Sequence, residues 1–238
     1  MFYIFHNLYP PNPNVLFILK YCIANKIIFL NTTVEFPQMY EHIRKVEEYI
    51  GRKITILEPN NSFEYMMFDY TKKKGKSKGS KGYGWSSARL RWCTRYFKQG
   101  AINKYLKQKY GKKVKTVEYI GIALDEPKRL ERNKDKTNLK YPLVEWGMTE
   151  KDALEYCYSK GFDWGGLYNK FDRVSCWCCP LQSLKELRIL YTDFPKLWEI
   201  LRIWDKKNID LYNRKFRADY SILELEEKFE KEGLYQKK

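Results

Sequence analysis

Apolar positions change period along the chain, and the change divides it into segments of different secondary structure. Phe2-Tyr-Ile-Phe5 is a short apolar run, and Lys26-Ile-Ile-Phe-Leu-Asn31 has the length and β-rich character of a buried strand. Between them, Val15 to Ala24 carries apolar residues on most faces, as a helix packed on a sheet does. After Pro37, Met39, Ile43, Val46 and Ile50 recur at helical spacing, and Gly51 closes the pattern. Lys53-Ile-Thr-Ile-Leu-Glu58 and Val117-Glu-Tyr-Ile-Gly-Ile-Ala123 read as further strands, with Tyr141-Pro-Leu-Val-Glu-Trp146 as an edge segment. Strands separated by helices imply a parallel sheet with right-handed crossovers. The predicted class is α/β.

The second half reads as helical. Thr149 with Asp152, Ser183 with Glu186 and Ser221 with Glu224 have the spacing of capping boxes. Leu184, Leu187 and Leu190 open a helix that the pattern carries past Pro195 through Leu197, Ile200 and Trp204. A last helix runs from Ile222 to Glu232, with Gly233 as its stop. The expected organisation is an α/β domain over residues 1–180 and a helical extension over 181–238 packed on it.

Composition narrows the class. Hydrophobic residues at 44% and charged residues at 31% suit a globular chain, and 238 residues bury a core without disulfide staples. Lys and Arg number 45 against 29 acids, a net +16 that favours anionic partners, nucleic acid or phosphorylated small molecules. The apolar run Val15 to Leu30 is broken by Lys20, Asn25 and Lys26 and is too short for a bilayer. No membrane partner is expected. The opening residues lack a basic n-region and a small-residue cleavage site, so the cytoplasm is the expected compartment.

One segment departs from the rest. Thr71 to Gly84 is dominated by lysine and glycine and supplies nothing to a core. It reads as a mobile solvated loop or as an electrostatic clamp on phosphates or a nucleic-acid backbone. It leads into Arg89, Arg91, Arg95 and Lys98, and a helix after Thr94 would bring the last three together as an anion site.

Three of six cysteines crowd into Cys176, Cys178 and Cys179. Cys176 and Cys179 form C-x-x-C, a spacing that lets two thiolates bind one zinc ion or one cluster edge. Cys93 and Cys178 are the candidates to complete a set of four, and a redox thiol pair is the alternative. Cys22 and Cys157 fall on predicted helices and read as buried free thiols. His6 and His42 are the two histidines, and His42 lies mid-helix, so histidine chemistry is not expected.

Ordered along the chain, Phe29-Leu-Asn-Thr-Thr33 with Glu35-Phe-Pro37, Arg91-Trp-Cys-Thr-Arg95, Gly121-Ile-Ala-Leu-Asp-Glu126 with Arg129, Tyr141 to Trp146, and Arg173-Val-Ser-Cys-Trp-Cys-Cys-Pro180 resemble the phosphoadenosine-phosphosulfate (PAPS) reductase family. The resemblance implies a Rossmann-like, adenine nucleotide alpha-hydrolase-like fold that binds ATP or PAPS at the carboxyl ends of its strands. It implies either reduction of activated sulfate or nucleotide-dependent sulfur transfer, with nucleic acid as one acceptor. Carried over by motif, Thr32 lies near the nucleotide, and Arg91, Arg95 and Arg129 face its anionic groups. Cys93, Cys176, Cys179 and Cys178 become ligands of a 4Fe-4S cluster or zinc.

Two departures accompany the resemblance. The family's phosphate-binding PP-loop is replaced by Leu8-Tyr-Pro-Pro-Asn-Pro13, whose prolines have no N–H to offer an oxyanion. No cysteine follows Cys179, where assimilatory reductases carry a nucleophile. The rival expectation is a non-catalytic nucleotide- or nucleic-acid-binding module that kept the fold and a structural metal site.

Overall fold

The computed structural model describes residues 2–6, 26–212 and 214–235, with 2–6, 234 and 235 as backbone only. The predicted helix at Val15 to Ala24, the stretch Leu8 to Pro13 and Cys22 lie outside the described residues. Contacts divide the chain into two compact units. The first comprises Met1–Asn31, Glu35–Glu58 and Phe97–Val174; the second comprises Thr32–Val34, Pro59–Tyr96 and Ser175–Lys238.

The first unit holds a five-stranded sheet in which every pairing is parallel. Its strands are β1 (Phe2–His6), β2 (Lys26–Leu30), β3 (Thr55–Leu57), β4 (Thr116–Tyr119) and β5 (Leu139–Lys140), in the order β3-β2-β1-β4-β5. Ile4 of β1 stands opposite Lys26 on one side and Glu118 on the other. The order therefore reverses beside β1, the switch point where open α/β sheets seat their ligands. Ile27 to Leu30 are all buried, as a strand covered on both faces requires.

Helix α1 (Pro37–Ile50) starts on proline, whose missing N–H costs nothing in a first turn. It ends at Gly51, whose φ of 63° needs no Cβ. Met39, Ile43 and Val46 form its buried stripe, and each contributes about 1.5–3 kcal/mol.

The second unit contributes α2 (Phe63–Phe68), and a π-helical turn at Thr94–Gly100 runs into α3 (Ala101–Tyr110) of the first. Ile102 of α3 joins Ile28 and Leu30 in one apolar cluster. The first unit continues through α4 (Pro127–Glu131), α5 (Pro142–Glu145), α6 (Glu150–Ser159) and α7 (Leu167–Lys170). The second unit ends with α8 (Leu184–Asp193), α9 (Pro195–Tyr212) and α10 (Ile222–Tyr235). Among the described residues no helix is long and apolar enough to cross a membrane.

Four local expectations change. Tyr141 to Trp146 is not an edge strand: pairing stops at Lys140, and Pro142 starts a short helix. The helix from Leu184 does not run through Pro195, because proline cannot supply the interior N–H; it stops at Asp193 and Pro195 begins α9. Gly233 lies within α10 rather than ending it. Thr71 to Gly84 is not a free loop but a hairpin. Lys72 N donates to Ser80 O at 2.9 Å, Gly79 N to Lys72 O at 2.8 Å, and Gly82 N to Tyr70 O at 2.8 Å. Gly82 permits the return: at φ 55° a Cβ there would lie 2.0 Å from Tyr212 Oη and 2.3 Å from Met67 O.

All three capping boxes form, at Thr149 with Asp152, Ser183 with Glu186, and Ser221 with Glu224. In the second unit α9 also serves as a frame. Its Asp205, 2% exposed, accepts from Trp85 Nε1 at 2.9 Å and Ile222 N at 2.7 Å. One turn on, Asn208 accepts from Trp85 N at 3.1 Å and donates to Arg214 O at 2.5 Å.

Candidate functional site

The chain leaves β2 and enters the second unit through Thr32, Thr33 and Val34. Thr33 adopts φ 66°, a left-handed conformation that strains a β-branched residue by about 1–2 kcal/mol. Its Oγ1 accepts from Phe63 N at 3.2 Å, a bond that offsets part of the strain.

Thr32 is buried, and its Oγ1 lies 3.4 Å from Cys176 Sγ. Trp177 N donates to Val34 O at 3.2 Å, so the cysteine turn is tied to this loop by backbone as well as by side chain. The turn closes with Cys179 N on Cys176 O at 3.1 Å. Gln182 stabilises it from below: its Nε2 donates to the carbonyls of Cys176 and Trp177, both at 3.0 Å.

Aromatic packing connects this turn to the segment carrying Cys93. Trp177 packs on Trp204 at 5.4 Å, Trp204 on Phe63 at 6.0 Å, and Phe63 on Trp92 at 4.8 Å. Trp92 Nε1 donates to Gly84 O at 3.0 Å, which fixes the residue just before Cys93. Arg91 and Arg95 are both exposed, one turn apart, with Arg95 N on Arg91 O at 3.3 Å. The turn that follows is π-helical rather than α-helical, a geometry often found at functional sites.

The remaining expectations divide. Arg129 belongs to the first unit, where it pairs with Glu126, whose other oxygen accepts from Ala123 N at 3.1 Å. It does not share a unit with Arg91 and Arg95. The predicted metal set is not assembled: among the described residues no group of three or more Cys, His, Asp or Glu could hold a metal ion. Within the turn Cys178 is 1% exposed while Cys179 is half-buried, so adjacent thiols stand in different surroundings. Cys157 is buried as expected, and desolvation pushes its thiol up to about 12. His42 is also a core residue, stacked on Trp164 at 4.8 Å and held neutral by burial, with its pKa lowered to about 3.

Sequence reasoning missed a tyrosine triad next to the hairpin. Tyr83 and Tyr96 share a hydrogen bond of 3.0 Å, Tyr96 donates to Tyr70 at 3.1 Å, and Tyr70 stacks on Tyr83 at 5.8 Å. No spacing signals it, because the three come from separate segments.

The phosphoadenosine phosphosulfate reductase domain matches residues 12–182. The chain belongs to that family. Family membership agrees with the α/β sheet and its helical C-terminal part, and it supports nucleotide binding linked to sulfur. Two uncharacterized proteins of Methanocaldococcus jannaschii are similar. MJ0066 is 27% identical over 203 residues, covering 76% of this chain and 37% of the relative. MJ0973 is 25% identical over 190 residues, covering 74% and 42%. The chain spans well under half the length of these curated relatives. No solved structure matches.

Proposed function

We propose that this member of the PAPS reductase family is an enzyme that binds an adenine nucleotide and performs sulfur reduction or transfer at the Cys176-Trp-Cys-Cys179 turn. The observation that carries the reading is Thr32 Oγ1 at 3.4 Å from Cys176 Sγ, on the loop that leaves β2. Arg91 and Arg95 supply positive charge for the anionic part of the nucleotide. In the reductive form, Cys176 and Cys179 give up two electrons and two protons as they close to a disulfide. Activated sulfate leaves as sulfite, its nucleotide is released, and an external dithiol, itself oxidised to a disulfide, restores the pair. In the transfer form, ATP adenylates an acceptor oxygen with release of pyrophosphate, and the outer sulfur of a Cys176 persulfide, loaded by an external persulfide donor, displaces AMP. Cys179 then attacks Cys176 in the resulting Cys176–S–S–acceptor link, closing the Cys176–Cys179 disulfide and freeing the thiolated acceptor, and external thiols reduce the pair.

The test is anaerobic calorimetry with ATP and PAPS, followed by chromatography of nucleotide products. Binding of either, with turnover abolished by Cys176→Ser, supports the proposal. Equal turnover in Cys176→Ser, or no binding of any adenine nucleotide, overturns it. A second reading, a non-catalytic nucleic-acid-binding module, draws on the ordered hairpin at 71–84, whose lysines are mostly exposed. It predicts salt-sensitive binding without turnover.

A further inference from the structure

The second unit contains a cleft of about 740 Å³ walled by three loops, residues 85–89, 180–181 and 214–219. Trp85 and Phe216, each 1% exposed, form its floor, and Leu181, 45% exposed, stands on the rim. Its charged lining is Arg89, Arg214, Lys215 and Arg217 against Asp219 alone. Arg217 Nε is paired with Asp219 at 3.0 Å, and Lys215 Nζ with Glu224 at 2.6 Å. Arg89 and Arg214 are exposed, and neither guanidinium has an ion-pair partner among the described residues.

We infer that this cleft seats the phosphate backbone of single-stranded nucleic acid. The walls are built rather than loose. Asp205 and Asn208 hold Trp85, and Asn208 also holds Arg214 O. Arg217 Nη1 donates to Gln182 O at 2.8 Å, which joins the third loop to the second. The cations are thus presented from a fixed backbone, the condition for repeated contacts without a large ordering cost.

Charge extent argues for a strand over a small anion. The cleft itself is lined by four Lys and Arg, and Arg89 among them belongs to a segment, residues 71–95, that carries nine Lys and Arg and no Asp or Glu along the sequence. A mononucleotide has too few phosphates to use so many cations; a strand repeats its charge along its length. Leu181, 45% exposed on the rim, offers an apolar surface for a base. A concavity walled by loops suits a single strand, whereas duplex readout calls for an element that protrudes into a groove. The inference does not rest on the proposed sulfur chemistry, because binding needs no turnover.

Fluorescence anisotropy tests it, with labelled oligothymidylate and oligouridylate of about fifteen nucleotides and a matching duplex. Salt is varied from about 50 to 200 mM. Single strands should bind with a log–log salt dependence of about −0.7 per phosphate contact. Arg89→Gln with Arg214→Gln should reduce that slope by about 1.4, two contacts at about 0.7 each, and weaken binding. Lys112→Gln with Lys113→Gln removes the same charge from an exposed turn of the first unit and should leave the slope unchanged. Thermal melts confirm that both variants fold. An unchanged slope in the cleft variant, equal loss in the control, tighter binding of duplex, or no strand binding overturns the inference. So does inorganic pyrophosphate binding that depends on Arg89 and Arg214 while strand binding does not.

Discussion

Replacing Asp205 tests whether the second unit is held by one buried carboxylate. Asp205→Ala leaves Trp85 Nε1 and Ile222 N buried without their acceptor. Each orphaned donor costs about 1–3 kcal/mol, and bonds to a charged acceptor lie in the upper part of that range. The expected loss is about 3–5 kcal/mol. An opposing effect comes from the charge itself, since burial raises the carboxyl's pKa above its ordinary 3.8, partly countered by the hydrogen bonds it accepts. Asp205→Asn separates the two effects: it removes the charge, keeps one acceptor oxygen, and should cost about 1–2 kcal/mol. The sign with pH follows. The folded protein holds this proton to higher pH than the unfolded chain, so the carboxyl stabilises most below 3.8 and loses that contribution as pH rises through the raised folded value. Asp205→Asn should abolish that decline. Urea unfolding followed by tryptophan emission reads the loss, because Trp85 packs on Trp204 at 6.2 Å and on Phe216 at 4.8 Å. An alanine variant within about 1 kcal/mol of the parent would refute the reasoning.

Other expectations follow from single contacts. Gly82→Ala should cost about 3 kcal/mol or more and open the hairpin, because its Cβ would fall 2.0 Å from Tyr212 Oη; Gly79→Ala, with nothing within 4 Å, should cost only about 1–2 kcal/mol of backbone strain. Calorimetric melts compare the two. His42 is neutral in the fold, with a pKa near 3 against 6.5, so its contribution to stability should fall by about 1.4 kcal/mol per pH unit as pH drops from 6.5 toward 3. His42→Leu should flatten that fall in urea titrations. Thiol labelling at pH 8, mapped by mass spectrometry, should reach half-buried Cys93 and Cys179 first, and Cys157 only on unfolding; early labelling of Cys157 would contradict its burial. Ser221→Ala removes the hydroxyl that accepts from Glu224 N at 3.2 Å and should cost about 1 kcal/mol, read by chemical denaturation.

Much of the fold was legible because its signals are local. Met39, Ile43 and Val46 repeat at helical spacing, and Gly51 stops the helix by a backbone requirement that any reader can apply. The capping boxes are three-residue patterns and all three formed. Pro195 shows the limit of periodicity, since leucines on both sides kept helical phase while the missing N–H ended one helix and began another. The hairpin was illegible for a different reason: its closure depends on Gly82 fitting beneath Tyr212, a residue far along the chain. At the candidate site, motif order brought out Thr32 and Cys176, which the structure places in contact. The C-x-x-C spacing of Cys176 and Cys179 suggested a metal, but spacing does not report whether further ligands gather around it; among the described residues no group of three does. The cleft of Arg89, Arg214 and Arg217 has no sequence signature, since it exists only once Asp205 and Asn208 gather its loops.

That gathering has an evolutionary consequence. Asp205 and Asn208 grip Trp85 N, Ile222 N and Arg214 O, main-chain atoms that every residue except proline carries in full. The exposed side chains at 88, 89, 214, 215, 218 and 219 are therefore free to drift while the scaffold that displays them persists. A lineage that keeps this one turn of α9 can exchange the exposed part of the lining, and a library randomised at those positions should yield folded variants with altered ligand preference far more often than one randomised at 205 and 208.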